Sequence, residues 1–178
     1  MRVLLVSHTC QSLTEGQPKV VALGRHRDVE LKVVVPDRWQ PYGNGPLEIM
    51  PSAERWINVH RVIWPSAGPA LFYLHWYPGL GKTIQTFQPD VIDVWEEPWG
   101  LLSRQVCWLR HRYAPKAKLL LETEQNLDKH LPFPFEGFRR RSLRAADWLV
   151  GRSREAVAVA RQKGYEGSEL MGIWKHWG

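Results

Sequence analysis

Short runs of aliphatic residues, each too brief for a helix and too uniformly apolar for a half-exposed strand, recur along this chain. They constrain its architecture more than any other feature. Arg2–Ser7 (R-V-L-L-V-S), Glu30–Pro36 (E-L-K-V-V-V-P), Asp90–Trp95 (D-V-I-D-V-W), Lys118–Glu122 (K-L-L-L-E) and Trp148–Gly151 (W-L-V-G) read as strands, with Val59–Trp64 as a sixth. Longer amphipathic segments alternate with them: Gln17–His26, a helical stretch within Ala70–Phe87, Trp99–Tyr113, Phe135–Ala146 and Ser153–Lys163, the last closed by Gly164 at the C′ position. Arg38–Ala53, with Pro41, Gly43, Gly45, Pro46 and Pro51, reads as an irregular excursion. Unbroken apolar strands separated by helices are buried on both faces. The expected fold class is therefore α/β: a single doubly wound, Rossmann-like domain with a mainly parallel sheet and helices on both faces.

At 178 residues the chain has room for one such domain and not for two of ordinary size. Cys10 and Cys107 are too few for a disulfide framework or a Cys-rich zinc site. The opening apolar run is too short for a signal-peptide core, and the apolar stretch Val62–Leu80 is broken by Pro65, Gly68, Pro69, His75, Pro78 and Gly79. A cytoplasmic protein with no spanning segment is expected. Its formal net charge of +6 permits phosphate, anionic membrane or nucleic acid without choosing among them.

In open α/β sheets ligands bind beyond the carboxyl ends of the strands. Sampling the sequence there gives Ser7, His8, Thr9 and then Glu15 and Gly16; Glu96, Glu97, Pro98 and Trp99; Glu122, Thr123, Glu124, Gln125 and Asn126; and Arg152 and Ser153. Such a polar, acidic rim suits a polyhydroxylated ligand or the positioning of a base, although loops are polar in any case. His8 could act as a base, bond a substrate, or simply pack. Trp95 and Trp99 flank the Glu pair and could stack on a sugar's C–H face, whereas Trp56, Trp64, Trp76, Trp108 and Trp148 read as core or groove lining. The basic run Arg139, Arg140 and Arg141, with Arg144, Arg152 and Arg154, could meet phosphate or an anionic bilayer, or could be a solvated helix face.

Several motifs fail on inspection. Gly79-Leu80-Gly81-Lys82-Thr83 resembles the end of a phosphate-binding loop, but Trp76 stands where glycine is required, and a helical stretch is expected before it instead of a strand. The first strand-to-helix turn lacks G-x-G-x-x-G, which disfavours a dinucleotide cofactor. The seven histidines show no metal-ligand spacing, so no metal site is expected. No helix-turn-helix or RNA-stacking motif appears, and nucleic acid is not an expected partner.

Taken in order, R-V-L-L-V-S, Y-P-G-L-G-K at Tyr77–Lys82, Q-P-D-V-I-D-V-W-E-E-P-W-G at Gln88–Gly100, L-L-L-E-T-E-Q-N-L at Leu119–Leu127, P-F-E-G-F-R-R-R-S-L-R-A-A-D at Pro134–Asp147, and R-S-R-E-A-V-A-V-A-R-Q-K-G-Y-E-G at Arg152–Gly167 resemble the N-terminal domain of family-4 glycosyltransferases, which have the GT-B fold. The resemblance covers residues 1–167. It implies a retaining transferase that moves a sugar from a nucleotide-diphosphate donor to an acceptor hydroxyl without a catalytic metal, in polysaccharide or glycolipid synthesis. The N-terminal domain would hold the acceptor, a sugar or a lipid-linked sugar, with Ser7, His8, Thr9, Gly16, Glu96, Trp99, Glu122, Thr123 and Asn126 as its contacts. Glu97 matches the Glu of the family's H-E-P triplet, with Glu96 in the His position. Glu124 stands where many relatives place a histidine near the reacting centre, so Glu97 and Glu124 become the candidate catalytic residues. Arg139, Arg140 and Arg144 would contact membrane or phosphate, peripherally, at the inner face.

Relatives continue after K-G-Y-x-G with a strand, a hinge containing G-V-D and a second domain. That domain carries an E-x7-E pair that grips the donor. Here no Glu has another Glu eight residues on, and Ser168–Gly178 reads as a tail at the hinge position. The nucleotide-sugar is thus expected in a donor domain, acting in cis or in trans, with no cofactor in this chain. Two other readings stay open: a non-catalytic module docking on a membrane or a partner subunit, and another enzyme of the two-domain fold such as a sugar-nucleotide epimerase.

Overall fold

In a computed structural model of the chain, residues 1–11, 16–37, 39, 55–63 and 73–171 are described. Seven strands, β1 (Arg2–Val6), β2 (Glu30–Pro36), β3 (Ile57–His60), β4 (Val91–Val94), β5 (Lys118–Thr123), β6 (Trp148–Gly151) and β7 (Ser168–Met171), form one sheet in the order β3-β2-β1-β4-β5-β6-β7. Every neighbouring pair is parallel. The helices are α1 (Gln17–Gly24), α2 (Leu80–Phe87), α3 (Leu101–Tyr113), α4 (Phe135–Ala145) and α5 (Arg154–Gln162). This is the doubly wound Rossmann arrangement, with strand order reversing between β1 and β4.

Side-chain alternation sorts the core into two layers. On one face Leu4, Val6, Val34, Ile92, Val94, Leu119, Leu121 and Leu149 pack under α2, α3, α4 and α5 through Leu80, Ile84, Leu102, Val106, Leu143 and Ala160. On the other, Val3, Leu5, Leu31, Val33 and Val35 pack against Val20, Val21 and Leu23 of α1. Right-handed crossovers dictate this split, because leftward and rightward connections must carry their helices on opposite faces. Among the described residues no helix covers β5–β7 on the α1 side, where Trp148 and Leu170 stay 39% and 46% exposed.

The expected elements are present with shifted ends. β3 closes at His60 instead of Trp64, because only Ile57–His60 finds register partners in Val33–Pro36 of β2. Ile63 makes an isolated antiparallel bridge to Trp76, and Trp64 lies outside the described residues. α2 starts at Leu80, so Gly79–Thr83 is the first turn of a helix with Gly79 as N-cap. Among the described residues 73–79 no α-helix precedes it, contrary to the sequence expectation; Tyr73 and Leu74 form only a 3-10 turn. α3 starts at Leu101, behind an extended Gly100. Gly164 takes φ +96°, the left-handed turn that ends α5. The domain boundary at Gly167 is corrected: Ser168–Met171 pairs with β6 as the seventh strand. Most of the Arg38–Ala53 excursion and residues 172–178 of the tail lie outside the described residues.

Candidate functional site

The carboxyl ends of β1, β4, β5 and β6 place the sequence-derived rim residues in three groups. The first is at the switch point between β1 and β4. Ser7 is fully buried; its hydroxyl donates to Trp95 O at 3.0 Å and shares a 2.8 Å bond with the Thr9 hydroxyl. The two hydroxyls brace the turn, and Ser7 is closed to a ligand. Gly16 is also internal: a Cβ there would lie 2.4 Å from the backbone of Cys10. His8, like Thr9 and Glu96, is partly open. Its backbone N–H donates to Glu96 Oε1 at 2.9 Å and its Nδ1 lies 2.6 Å from the same oxygen. The His8 ring stacks on Trp39 with centroids 4.1 Å apart, and His75 packs edge-on to Trp39 at 4.8 Å. Burial pushes the Glu96 carboxyl up, but the charge and hydrogen bonds of His8 and the charge of His75 outweigh it and hold Glu96 below its ordinary range.

The second group borders an open cavity of about 390 Å³, lined by Tyr73, Glu97, Trp99, Glu124, Asn126 and Lys129 among others. Glu97 Oε1 accepts from the Glu124 N–H at 2.8 Å and its Oε2 from the Thr123 hydroxyl at 2.9 Å, so β5 fixes a carboxylate carried on the β4 loop. Ser103, in the first turn of α3, donates to Glu97 O at 2.9 Å and anchors that loop from below. Burial pushes the Glu97 carboxyl up to about 7; the two hydrogen bonds offset this in part, and the charges of Glu124 and Glu96 add to it. Trp99 and Tyr73 form an aromatic wall with centroids 3.8 Å apart, and Phe135 meets Trp99 edge-on at 5.7 Å. Glu124 is exposed and paired with Arg152 at 2.8 Å. Fixed carboxylates beside aromatic faces suit a polyhydroxylated ligand.

The third group sits apart from the cavity. Glu122, expected among the acceptor contacts, is 6% exposed and turns to the α1 side of the sheet, where it pairs with Lys19. Lys19 also reaches Asp93 Oδ2 at 2.9 Å, and Asp93 Oδ1 has no hydrogen-bond partner among the described residues. Burial, then the Asp93 charge, pushes the Glu122 carboxyl up to about 7 against the pull of Lys19. Lys19 is itself raised: burial works against its charge, and the two carboxylates prevail. Lys19 and Arg152 both stand over the ring of Trp95, 4.9 and 5.4 Å from its centroid. Sequence reading passed over this trio, although Asp93 in the middle of an apolar strand was its signal, since a buried carboxylate needs a cation. Trp39, Tyr73 and His75 gave no such signal.

The basic run is corrected in one member. Arg139 is 2% exposed: its guanidinium pairs with Glu136 and donates to Lys129 O at 3.2 Å and Gln125 Oε1 at 3.4 Å. It props the β5–α4 loop from inside and is closed to a membrane or phosphate. Arg140 and Arg144 are exposed. Trp76 and Trp108, read as core or groove lining, are 38% and 56% exposed. Among the described residues no group of three His, Cys, Asp or Glu side chains could hold a metal ion, and no helix is long and apolar enough to cross a membrane.

No family model matches the sequence, and no curated protein matches it. Solved structures do match the fold. A Listeria monocytogenes protein assigned as a UDP-N-acetylglucosamine 2-epimerase superposes with a TM-score of 0.60 at 17% identity, over 93% of this chain and 43% of its own. The UDP-GlcNAc 2-epimerase of Neisseria meningitidis, solved with UDP-GlcNAc bound, gives 0.61 at 13% identity over 96% and 45%. The chain thus spans less than half the length of these neighbours. At such identities the likeness is one of fold: a GT-B-like Rossmann half.

Proposed function

We propose that this chain is the acceptor-side half of a sugar-nucleotide-dependent glycosyltransferase. The observation that carries the reading is the cavity where the Glu97 carboxyl, fixed by Thr123 and the Glu124 N–H, shares walls with Trp99 and Tyr73. A sugar acceptor would stack on the aromatic pair and present a hydroxyl to Glu97. A carboxyl with a pKa of about 7 exchanges a proton with a bound hydroxyl near neutrality. The nucleotide-sugar donor would be held by a second domain, in cis or in trans, and the transfer would be retaining, as the family-4 resemblance implies.

Saturation-transfer NMR on the chain itself tests this. Mono- and disaccharides should receive magnetisation, and Trp99→Ala should abolish the transfer. UDP alone should give no signal. The structural neighbours are epimerases, whose substrate is the nucleotide sugar itself; specific binding of UDP at this rim would favour that reading and overturn the acceptor-side one.

A further inference from the structure

Among the described residues, the charged side chains that line the open cavity are Glu97, Glu124 and Lys129. The two acids are already matched. Glu124 is paired with Arg152 at 2.8 Å. Glu97 is held by the Thr123 hydroxyl and the Glu124 N–H, and its carboxyl, pushed up to about 7 by burial, brings less than a full negative charge near neutrality. Lys129 differs from both. It is exposed, and its ammonium has no ion-pair partner among the described residues. The acid beside it in sequence, Asp128, is taken by Lys163 at 2.7 Å. The cavity thus presents a surplus cation.

That cation is also held in place. The Lys129 carbonyl oxygen accepts from Arg139 Nη2 at 3.2 Å, and Arg139 is itself buried and paired with Glu136 of α4. The backbone that carries Lys129 is therefore tied to α4 from inside, so less ordering remains to be done when a ligand meets the ammonium. Gln125, which also lines the cavity, turns its amide oxygen to Arg139 Nη1 at 3.4 Å. The polar group it has left is its N–H2, a donor. The loop wall thus supplies a cation and an amide donor, and Trp99 with Tyr73 supplies a stacking face.

From this charge accounting we infer that the sugar taken by the cavity is acidic, its ring stacked on Trp99 and its carboxylate or phosphate substituent on the Lys129 ammonium. The inference rests on the acceptor-side reading and narrows it to a class of acceptor. A neutral sugar leaves the lysine to water, whereas an anionic one adds an ion pair of complementary sign. An ammonium is a compact point charge, so either anion satisfies it. The gain is modest because the cavity is open: exposed ion pairs change affinity by roughly twofold to fivefold. Lys129 therefore selects among sugars, while the aromatic pair and Glu97 bind what they share.

Saturation-transfer titrations of the full chain test this with methyl glucuronide, methyl glucoside and glucose 6-phosphate. The first two rings differ only in a carboxylate for a hydroxymethyl group. The glucuronide, the phosphate or both should bind about twofold to fivefold tighter than the glucoside, and the tighter of the two names the anion. Lys129→Gln should bring the acidic sugars down to the affinity of the glucoside, Lys129→Arg should retain the preference, and salt at about 0.5 M should erase it. Lys116→Gln makes the same change in net charge at an exposed site on the turn before β5, at the other end of the strands, and should leave the preference intact. A glucoside that binds as tightly as both acidic sugars overturns the inference and leaves the acceptor-side reading standing. So does a preference that Lys129→Gln and Lys116→Gln reduce equally. Failure of all three sugars to bind overturns both.

Discussion

Glu122 is 6% exposed beside Asp93, also 6% exposed, with a single lysine serving both. Full ionisation would leave a buried excess negative charge, so near neutrality one carboxyl keeps a proton. The folded pKa of Glu122, about 7, lies above the unfolded value of about 4.3. Its contribution to stability is therefore fully present below about pH 4 and is lost as pH rises through about 7, an effect of the order of 3 kcal/mol. Glu97 shifts in the same direction. The wild type should lose stability between pH 5 and pH 8, and Glu122→Gln should lose markedly less. Urea midpoints at the two pH values measure this, and an equal fall in both proteins would rule the proton-sharing account out. Lys19→Met should cost about 3–5 kcal/mol at neutral pH by leaving the carboxylates without a cation, read by the same midpoints. The sequence told which polar residues stand at strand ends. It did not tell which side of the sheet each takes, because that depends on the register of neighbouring strands. Glu97, a candidate catalytic residue, and Glu122, a candidate acceptor contact, were both read from strand ends and part company only in space.

At the level of elements, local chemistry decides where a helix starts and stops, and it was readable wherever that chemistry is carried by one residue. Ser153 caps α5 by accepting the Ala156 N–H at 3.1 Å, and Gly164 ends the same helix in the left-handed region. Ser153→Ala should cost about 1 kcal/mol, and Gly164→Ala a similar amount, because an L side chain is strained at φ +96°. Thermal melts of the single variants and the double check both; a double variant no worse than either single would show that the two ends are not separate determinants. β7 was missed for the opposite reason. Ser168-Glu169-Leu170-Met171 has no aliphatic run, exposes Ser168, Glu169 and Leu170 at the sheet edge, and is a strand because β6 offers it a parallel partner. Its register is assisted by Glu169, which pairs across to Arg161 of α5 at 3.0 Å. Such a strand is a product of tertiary context, which no local pattern announces.

For the whole molecule, the alternation of apolar runs and amphipathic segments was enough to give a doubly wound sheet, and right-handed crossover then settles which face each helix takes. What the pattern did not reveal is how unevenly the two faces are covered. β1 is packed on both sides, by α2 through Leu4 and Val6 and by α1 through Val3 and Leu5, and it pairs with both β2 and β4. β7 has one strand neighbour, and Leu170 is 46% exposed. Local opening requires only the contacts of the segment that opens, so the free energy of opening should fall from the middle of the sheet toward β7. Native-state hydrogen exchange should show the slowest amides at Leu4, Leu5, Val33 and Ile92, exchanging through global unfolding. Those of Glu169 and Leu170 should exchange through a smaller, local event that is nearly independent of denaturant. Leu5→Ala, which empties a fully buried site between β1 and α1, should lower global stability by about 2–5 kcal/mol and accelerate the central amides together. The β7 amides should then be unchanged until the global and local free energies meet. If instead β7 exchanges in step with β1 in the wild type, the sheet opens as one unit and the uneven cover of its faces has no energetic consequence.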